Sequence, residues 1–458
     1  MTLFRRLSSI IALTILSIGI SLIAFAQDAK PAAQSPDNIG NTTIDNTSDD
    51  DIASSDPLPL QDLRLFTLIF DHIRRSYVEP VTDQELFENA VKGMLRELDP
   101  HSDYLDASHF STFRESTQGQ FSGVGIEIGQ ENGYIKVITP IDGSPAKRAG
   151  LQAGDLVIKL DNQSIRGLSL SEAAKKMRGP KGTEVTFTIV RQGLEKTIDI
   201  SVIRDTIQTR SVRSRIIEDD FAYVRIAQFQ VNTGKDFVAA LGELLQENSA
   251  LKGIVLDLRN NPGGVLKASV EVVDALVNDG LIVYTEGRLN KSKQSFSATT
   301  GDITQGLPIV VLINGGSASA AEIVAGALQD QQRAIIMGTR SFGKGSVQTV
   351  LPVGKDRGIK LTTALYFTPE GRSIQAQGIE PDVVIERATI TQLSGNARVK
   401  EADLSKHLAN RKGSKDATNT STKKYRSQNT EDNQLFEALN MLKGLAIFNK
   451  AKQQANSQ

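Results

Sequence analysis

The sequence predicts a multidomain α/β protein, with an N-terminal helical segment, an inserted small β-barrel domain and an α/β core. Apolar residues recur at helical spacing from Leu60, and short alternating runs divided by glycines follow them. Strand-like runs then alternate with helical runs from Phe221, which is typical of parallel strands joined by helices. With 458 residues, the chain is longer than one hydrophobic core usually supports.

Residues 1–26 predict a signal peptide for export. Arg5 and Arg6 precede an apolar stretch at residues 7–23, and Ala24-Phe25-Ala26 has the small-residue spacing of a cleavage site. The alternative is a retained membrane anchor, because the apolar stretch is close to the lower length limit for a membrane span. Residues 27–57 are polar and contain few large apolar side chains, so they predict a disordered tether.

Residues 58–118 predict an N-terminal helical region of two helices joined near Glu79-Pro80. Two apolar stripes at helical spacing indicate them, formed by Leu63, Phe66, Ile69, Phe70 and Ile73 and by Leu86, Ala90, Met94, Leu95 and Leu98. Residues 119–204 contain short strand candidates and one helical pattern at residues 170–177. This mixture predicts a separate, partly open barrel inserted before the core.

Residues 205–390 predict the α/β core, whose catalytic loops should lie at the carboxyl ends of parallel strands. Residues 391–431 are rich in Lys, Ser, Asn and Thr and predict a flexible, low-complexity linker. Residues 432–450 predict an amphipathic helix with an apolar stripe of Leu435, Leu439, Leu442, Leu445 and Ile447. This helix could dock to its own core, to a second copy of the chain or to an adaptor protein.

Composition excludes several classes of function. Lys and Arg number 52 against 53 Asp and Glu, and the net charge of −1 argues against a nucleic-acid partner. The absence of cysteine excludes disulfides, cysteine catalysis and cysteine metal sites. We expect neither a metal nor another cofactor.

Histidine is also excluded as a catalytic base within the core. The chain contains four histidines, His72, His101, His109 and His407, and none lies between residues 251 and 382. A Ser/His/Asp triad inside the α/β domain is therefore impossible. His101 and His109 adjoin the predicted helices, where surface or capping roles are expected.

A serine at a strand-to-helix junction is the first catalytic candidate. Ser317 and Ser319 follow an apolar strand and precede an alanine-rich helix. The N–H groups and positive dipole end of a helix can stabilise an oxyanion there. The alternative is that either serine only caps the helix, which is a common role of serine.

A lysine in the following loop is the candidate base. Lys344 lies among small and apolar residues, where loss of solvent would lower its pKa from roughly 10.4 towards about 7–8. Serine with a desolvated lysine is a known nucleophile pair, and Gln348, four residues on, could orient the amine. The alternative is a solvated loop lysine. Gly338, Gly343 and Lys344 imitate a phosphate-binding loop, but Gly345 replaces the Ser or Thr that would bind magnesium, so we reject that interpretation.

A third loop, at residues 257–264, could supply oxyanion donors. Its paired glycines, Gly263 and Gly264, expose backbone amides at the end of another strand. Together with the N–H of Ala320 they could complete an oxyanion hole. Paired glycines alone more often make turns.

Residues 60–382 resemble the C-terminal processing peptidases, also called tail-specific proteases. The resemblance rests on Leu98-Asp99-Pro100, Phe121-Ser122-Gly123-Val124-Gly125-Ile126, Ser144-Pro145-Ala146, Ala149-Gly150-Leu151, Gly154-Asp155, LRNNPGG, GSASAAEI and FGKGSVQ. It implies that Ser319 is the nucleophile, Lys344 its base and Gln348 the residue that orients the lysine. It also implies a core related to the crotonase and Clp-protease folds, and a PDZ domain that regulates access.

The PDZ domain implied by the resemblance has a physical rationale. Glycines in Gly123-Val124-Gly125-Ile126 free backbone N–H groups to hold a terminal carboxylate, and the next strand offers an edge to an added peptide strand. A plain barrel turn is the alternative. Arg178 is a candidate link between an occupied PDZ domain and the core, although most arginines at such positions are surface residues.

We therefore expect an exported serine endopeptidase that recognises envelope proteins by free, apolar C-termini and cleaves them through an acyl-enzyme. Its location would be periplasmic or otherwise outside the cytoplasm, and membrane-associated if the apolar segment is retained. Two competing hypotheses are a PDZ scaffold with a degenerate protease core and an acyl-CoA enzyme of crotonase type. Intact Ser319, Lys344 and Gln348 argue against the first, and the predicted export argues against the second.

Overall fold

The computed structural model describes residues 59–141, 143–299, 301–388, 404–408 and 432–456. The predicted signal peptide and tether lie outside the described residues, as does most of the predicted linker. The boundaries proposed for the domains stay predictions. No helix within the described ranges is long and apolar enough to cross a membrane.

The N-terminal region contains the two predicted helices, α1 (Leu60–Ser76) and α2 (Asp83–Arg96), and a third, α3 (Ala107–Gln118). Thr82 and Glu85 form a capping box that begins α2, and Asp106 caps α3 by accepting a hydrogen bond from the N–H of His109. Helix α3 was not predicted, because its apolar periodicity is weak. No residue of α1 is buried.

The inserted domain is a six-stranded antiparallel sheet with two short helices. Its elements are β2 (Gln120–Gly123), β3 (Ile126–Glu131), β4 (Tyr134–Pro140), α4 (Pro145–Arg148), β5 (Leu156–Leu160), β6 (Gln163–Ser164), α5 (Leu170–Met177), β7 (Glu184–Val190), β8 (Ile198–Ile203) and β9 (Asp205–Gln208). The sheet runs β3-β4-β5-β7-β8 with β6 on β5, and β2 pairs with β9 where the chain enters and leaves the domain. β3 is therefore an edge strand.

The core begins with β10 (Val212–Ile217), β11 (Phe221–Ile226), α6 (Thr233–Glu247), β12 (Gly253–Asp257), α7 (Leu266–Asp274), β13 (Leu281–Gly287) and β14 (Gln294–Ser297). It continues with β15 (Ile309–Ile313), α8 (Ala320–Asp330), β16 (Ile335–Gly338), β17 (Ser346–Val353), β18 (Arg357–Phe367) and β19 (Val383–Val384).

The main sheet of the core has the order β10-β11-β12-β15-β16-β19, and all pairs except β10 with β11 are parallel. Every residue of β12 and β15 is buried because both faces of the sheet are covered. Strand β1 (Asp103–Leu105) belongs to the N-terminal region. It forms the edge of a second, antiparallel sheet with the order β1-β18-β13-β14, in which β17 also pairs with β18. The pairing of β1 with β18 ties the N-terminal region to the core.

The C-terminal helix α9 (Asn433–Asn456) packs on the face of the main sheet that α6, α7 and α8 leave free. Its buried residues Leu435, Ala438, Leu439 and Leu442 contact Val310 and Leu312 of β15. The predicted apolar stripe therefore packs against the main sheet of the same chain, whereas Ile447, at the far end of the stripe, is exposed.

Candidate active site

A cavity of about 380 Å³ lies where the carboxyl ends of the parallel strands meet the second sheet and α3. It brings together all the residues that the sequence predicted for catalysis and the oxyanion hole. These residues are Gly263, Gly264, Ser319, Ala320, Lys344 and Gln348. Residues from loops far apart in sequence therefore face one space, large enough for part of a peptide chain.

Ser319 and Ser317 have different surroundings. Ser317 is fully buried, and its Oγ donates to the carbonyl of Leu258 at 2.8 Å and accepts from the N–H of Asn314 at 3.0 Å. It therefore holds two loops together. Ser319 precedes α8, is half-buried at the cavity, and has φ 55° and ψ −116°. A non-glycine residue rarely adopts this conformation, and such strain is concentrated at functional sites.

Glu322 organises the site, although the sequence predicted no role for it. Its buried carboxylate accepts hydrogen bonds from the N–H groups of Ser319 at 2.7 Å, Gly343 at 2.6 Å and Lys344 at 2.9 Å, and from Ser341 Oγ at 2.6 Å. Burial raises the pKa of Glu322, and these hydrogen bonds oppose the rise. The carboxylate thus ties the start of α8 to the lysine loop. The Ser-x-x-Glu spacing of a capping box was the available sequence signal.

Lys344 is half-buried between β16 and β17. Burial lowers its pKa and the positive charge of Lys360 lowers it further, whereas Asp99 and Glu322 raise it. In the part of the chain that the structure describes, no residue accepts a hydrogen bond from the Lys344 Nζ atom. The surroundings therefore favour the neutral amine, which a general base requires.

Gln348 lies on β17 and lines the same cavity. Its Nε2 atom donates to Ser346 Oγ at 3.0 Å and to Thr362 Oγ1 at 3.3 Å. It makes no hydrogen bond to Lys344, so the predicted orienting contact is not formed in this structure.

Two amides are free to stabilise an oxyanion. The N–H of Gly263 already donates to Asn261 Oδ1 at 2.9 Å. The N–H groups of Gly264 and Ala320 donate to no residue within the described ranges. A Cβ atom on Gly263 would lie 2.7 Å from the Cβ of Ser319. Gly263 therefore permits close approach of the two loops, while Gly264 and Ala320 offer the donors.

Tyr366 is a second residue that sequence reasoning missed. It is almost fully buried on β18, lines the cavity, and donates its hydroxyl proton to the carbonyl of Lys344. Burial raises the pKa of Tyr366 well above its usual value, and the negative charge of Glu322 raises it further. Tyr366 therefore stays protonated and ties the backbone of the candidate base to β18 beside the cavity.

The predicted carboxylate-binding loop connects β2 to the edge strand β3. Gly125 has φ 76°, and a Cβ there would lie 2.4 Å from the Cβ of Ser144, so only glycine fits. The N–H groups of Val124 and Gly125 donate to no described residue, while the carbonyls of both accept hydrogen bonds. Val124 is buried in the domain core, and Ile126 is half-buried on β3, against which α5 packs.

Arg178 follows α5 and lies beside this loop. Its guanidinium donates to Glu115 of α3 at 3.2 Å and stacks on Phe121, 5.1 Å from the ring centroid. Phe113 and Thr117, from the same helix as Glu115, line the cavity. Arg178 therefore connects the inserted domain to a helix that forms part of the cavity wall.

Two of the histidines lie near α3 and the lysine. His109 pairs with Asp106 at the start of α3, as a capping role requires. His101 is half-buried, and burial, followed by the positive charge of Lys344, lowers its pKa. Within the described ranges no cluster of His, Asp and Glu could hold a metal ion.

The core, its serine and lysine loops and the attached β domain define a serine peptidase with a peptide-binding module. Residues 220–385 match the model of peptidase family S41, residues 136–191 match a PDZ domain, and residues 23–109 match the N-terminal domain of the activating protease CtpB. The chain belongs to peptidase family S41 and is a carboxy-terminal processing protease.

The chain is 47% identical over 385 residues to the carboxy-terminal-processing protease of Bartonella bacilliformis, covering 83% of this chain and 88% of that protein. It is 37% identical over 327 residues to the carboxyl-terminal-processing protease of Synechocystis sp., and the match covers 70% of this chain and 76% of that protein. These matches confirm the predicted family, fold class and enzyme class, and they favour a serine peptidase over the scaffold and acyl-CoA hypotheses. Among solved structures, the photosystem II D1 C-terminal processing protease is 32% identical and has a TM-score of 0.42. The match covers 70% of this chain and 86% of that protein.

Proposed function

We propose that the chain is an exported endopeptidase that cleaves envelope proteins near their C-termini through a Ser319–Lys344 acyl-enzyme mechanism. The observation that carries the proposal is one cavity lined by a strained serine, a half-buried lysine without a hydrogen-bond partner among the described residues, and two free amides. These are the parts that acyl transfer requires.

The reaction follows from these parts. Neutral Lys344 accepts the Ser319 Oγ proton as Oγ attacks the scissile carbonyl, and the N–H groups of Gly264 and Ala320 stabilise the resulting oxyanion. When the C–N bond breaks, protonated Lys344 gives its proton to the leaving amine and an ester to Ser319 remains. Water, deprotonated by Lys344, then attacks the ester. As the acyl–Oγ bond breaks, Lys344 returns the proton to Ser319 Oγ, and the new C-terminus is released.

The PDZ domain supports recognition of a free C-terminus. The N–H groups of Val124 and Gly125, which have no partner among the described residues, could hold the terminal carboxylate. The edge strand β3 could receive the substrate as an added strand. Apolar neighbours such as Ile126 favour apolar final residues. Arg178 offers a route by which an occupied PDZ domain could affect the cavity wall.

Export is proposed from the signal-peptide pattern of residues 1–26. Substrates would then be envelope proteins. Purified protein incubated with an envelope extract should generate new C-termini, mapped by mass spectrometry, that are absent with Ser319→Ala. Identical fragments with both proteins would contradict the proposal.

Substitution of the two catalytic candidates tests the mechanism. Ser319→Ala, Lys344→Ala and Lys344→Arg should each abolish cleavage of a peptide with a free apolar C-terminus while the protein stays folded. Arginine fails because guanidinium keeps its proton at working pH. Lys355→Ala, on the exposed turn before β18, is the matched control and should retain wild-type kcat. Substantial activity in Lys344→Ala would contradict the mechanism.

Matched peptides test carboxylate recognition. Amidation of the peptide C-terminus removes hydrogen bonds to a charged group, each contributing roughly 1.5–3 kcal/mol. We expect roughly a tenfold to hundredfold loss in affinity. Equal kcat/KM for the acid and the amide would show that the carboxylate is not recognised.

A further inference from the structure

The turn between α2 and β1 contacts the catalytic side of the core through Asp99. Asp99 Oδ1 accepts hydrogen bonds from the N–H groups of His101 at 2.8 Å and Ser102 at 2.9 Å, and Oδ2 accepts one from Ser102 Oγ at 2.6 Å. Oδ1 also accepts a hydrogen bond from Thr362 Oγ1 at 3.1 Å. Thr362 belongs to β18, so one carboxylate joins the N-terminal region to the core.

Asp99 is ionised at neutral pH. Burial alone would raise its pKa, but the hydrogen bonds from Ser102, His101 and Thr362 outweigh burial and lower the pKa. An ionised carboxylate only accepts hydrogen bonds. Thr362 must therefore direct its hydroxyl proton at Asp99.

The proton on Thr362 then determines how Gln348 is oriented. A hydroxyl has one proton, so Thr362 Oγ1 can only accept from its other neighbour, Gln348. The Gln348 Nε2 atom donates to it at 3.3 Å and uses its second proton on Ser346 Oγ at 3.0 Å. The carboxamide oxygen of Gln348 remains as the acceptor of that side chain.

We infer that Asp99 is a positioning residue for the peptidase reaction: through Thr362 it fixes the carboxamide of Gln348 with its oxygen free to accept from the amine of Lys344. The inference rests on the proposed function, in which Lys344 is the base. Without Asp99, the Thr362 hydroxyl could donate to the Gln348 oxygen instead and turn the carboxamide over. The N–H₂ group would then face the lysine and donate to the lone pair of its neutral amine, which is the lone pair that must accept the Ser319 proton.

Substitution of Thr362 tests the relay while leaving the Asp99 charge in place. Thr362→Val should lower kcat about tenfold to hundredfold, the effect of losing one hydrogen bond to a charged group, with KM little changed. Thr362→Ser keeps the hydroxyl and should restore most of kcat. Thr363→Val is the matched control, because Thr363 is the next residue on β18 and bonds Thr349 instead, and its kcat should equal that of the wild type.

A double-mutant cycle separates the relay from a structural role. On the plateau of kcat against pH, where the charge of Asp99 no longer acts through the pKa of Lys344, Asp99→Ala and Thr362→Val should each lower kcat in the wild type. In Gln348→Ala they should lower it by less than about twofold, because they act through that side chain. Equal losses in both backgrounds would show that Asp99 only stabilises its turn and would overturn the inference. Asp99→Ala also removes bonds within the turn, so the Thr362 variants decide the matter if it fails to fold.

The result also distinguishes this inference from the proposed function. An inactive Lys344→Ala beside a fully active Thr362→Val would refute the relay and leave the Ser319–Lys344 mechanism standing. Activity in Lys344→Ala would refute the mechanism itself and the relay with it.

Discussion

Substitution of Gly263 by alanine tests whether catalysis requires close contact between the loop at residues 257–264, which carries the oxyanion donor Gly264, and the nucleophile Ser319. A Cβ at Gly263 would lie 2.7 Å from Ser319 Cβ, 2.7 Å from the Ala318 carbonyl oxygen and 2.9 Å from the Ala320 nitrogen. Ordinary contacts begin at 3.4 Å, so the loops must separate by about 0.7 Å. A misplacement of about 1 Å can cost about hundredfold in rate, and we expect Gly263→Ala to lower kcat by that order.

Backbone strain requires a separate control, because Gly263 has φ 92° and any L-residue there is strained by roughly 1–2 kcal/mol. Gly193, in the turn between β7 and β8, has φ 88° and nothing within 4 Å of an added Cβ. Gly193→Ala should lose similar stability in thermal unfolding yet keep its peptidase kcat. If the kcat of Gly263→Ala is within about threefold of that of Gly193→Ala, catalysis does not require close contact between Gly263 and Ser319.

Three further predictions concern charge. Asp99→Asn removes a negative charge that raises the pKa of Lys344, so this pKa should fall and the rising limb of kcat against pH should move to lower pH. Lys360→Met removes a positive charge that lowers the same pKa, so the limb should move to higher pH, and unmoved limbs in both variants would contradict Lys344 as the base. Arg259→Met removes the 2.7 Å partner of the fully buried Asp257 carboxylate and leaves Arg225 at 3.3 Å, so urea unfolding should show a loss of about 2 kcal/mol. An unchanged urea midpoint would refute the structural role of that ion pair.

The sequence by itself determined where the reactive groups lie along the chain. A buried strand followed by small residues and a helix is a local pattern, so the order of residues alone placed Ser319 and Lys344 at the ends of strands. Likewise, the elimination of histidine depended only on residue counts. The apolar periodicity also predicted the C-terminal helix, because one face of an amphipathic helix must be covered.

Only the tertiary structure decided which groups meet. Glu322 binds the lysine loop across 22 residues, and Asp99 reaches Thr362 across 263. No local pattern encodes such contacts, since each depends on the register of strands that distant segments contribute. The docking place of α9 was undetermined for a related reason. The hydrophobic effect is not directional, so a stripe of leucines predicts only that one face of the helix will be buried. Which surface buries it depends on the tertiary structure, and here it is the face of the main sheet that the other helices leave uncovered.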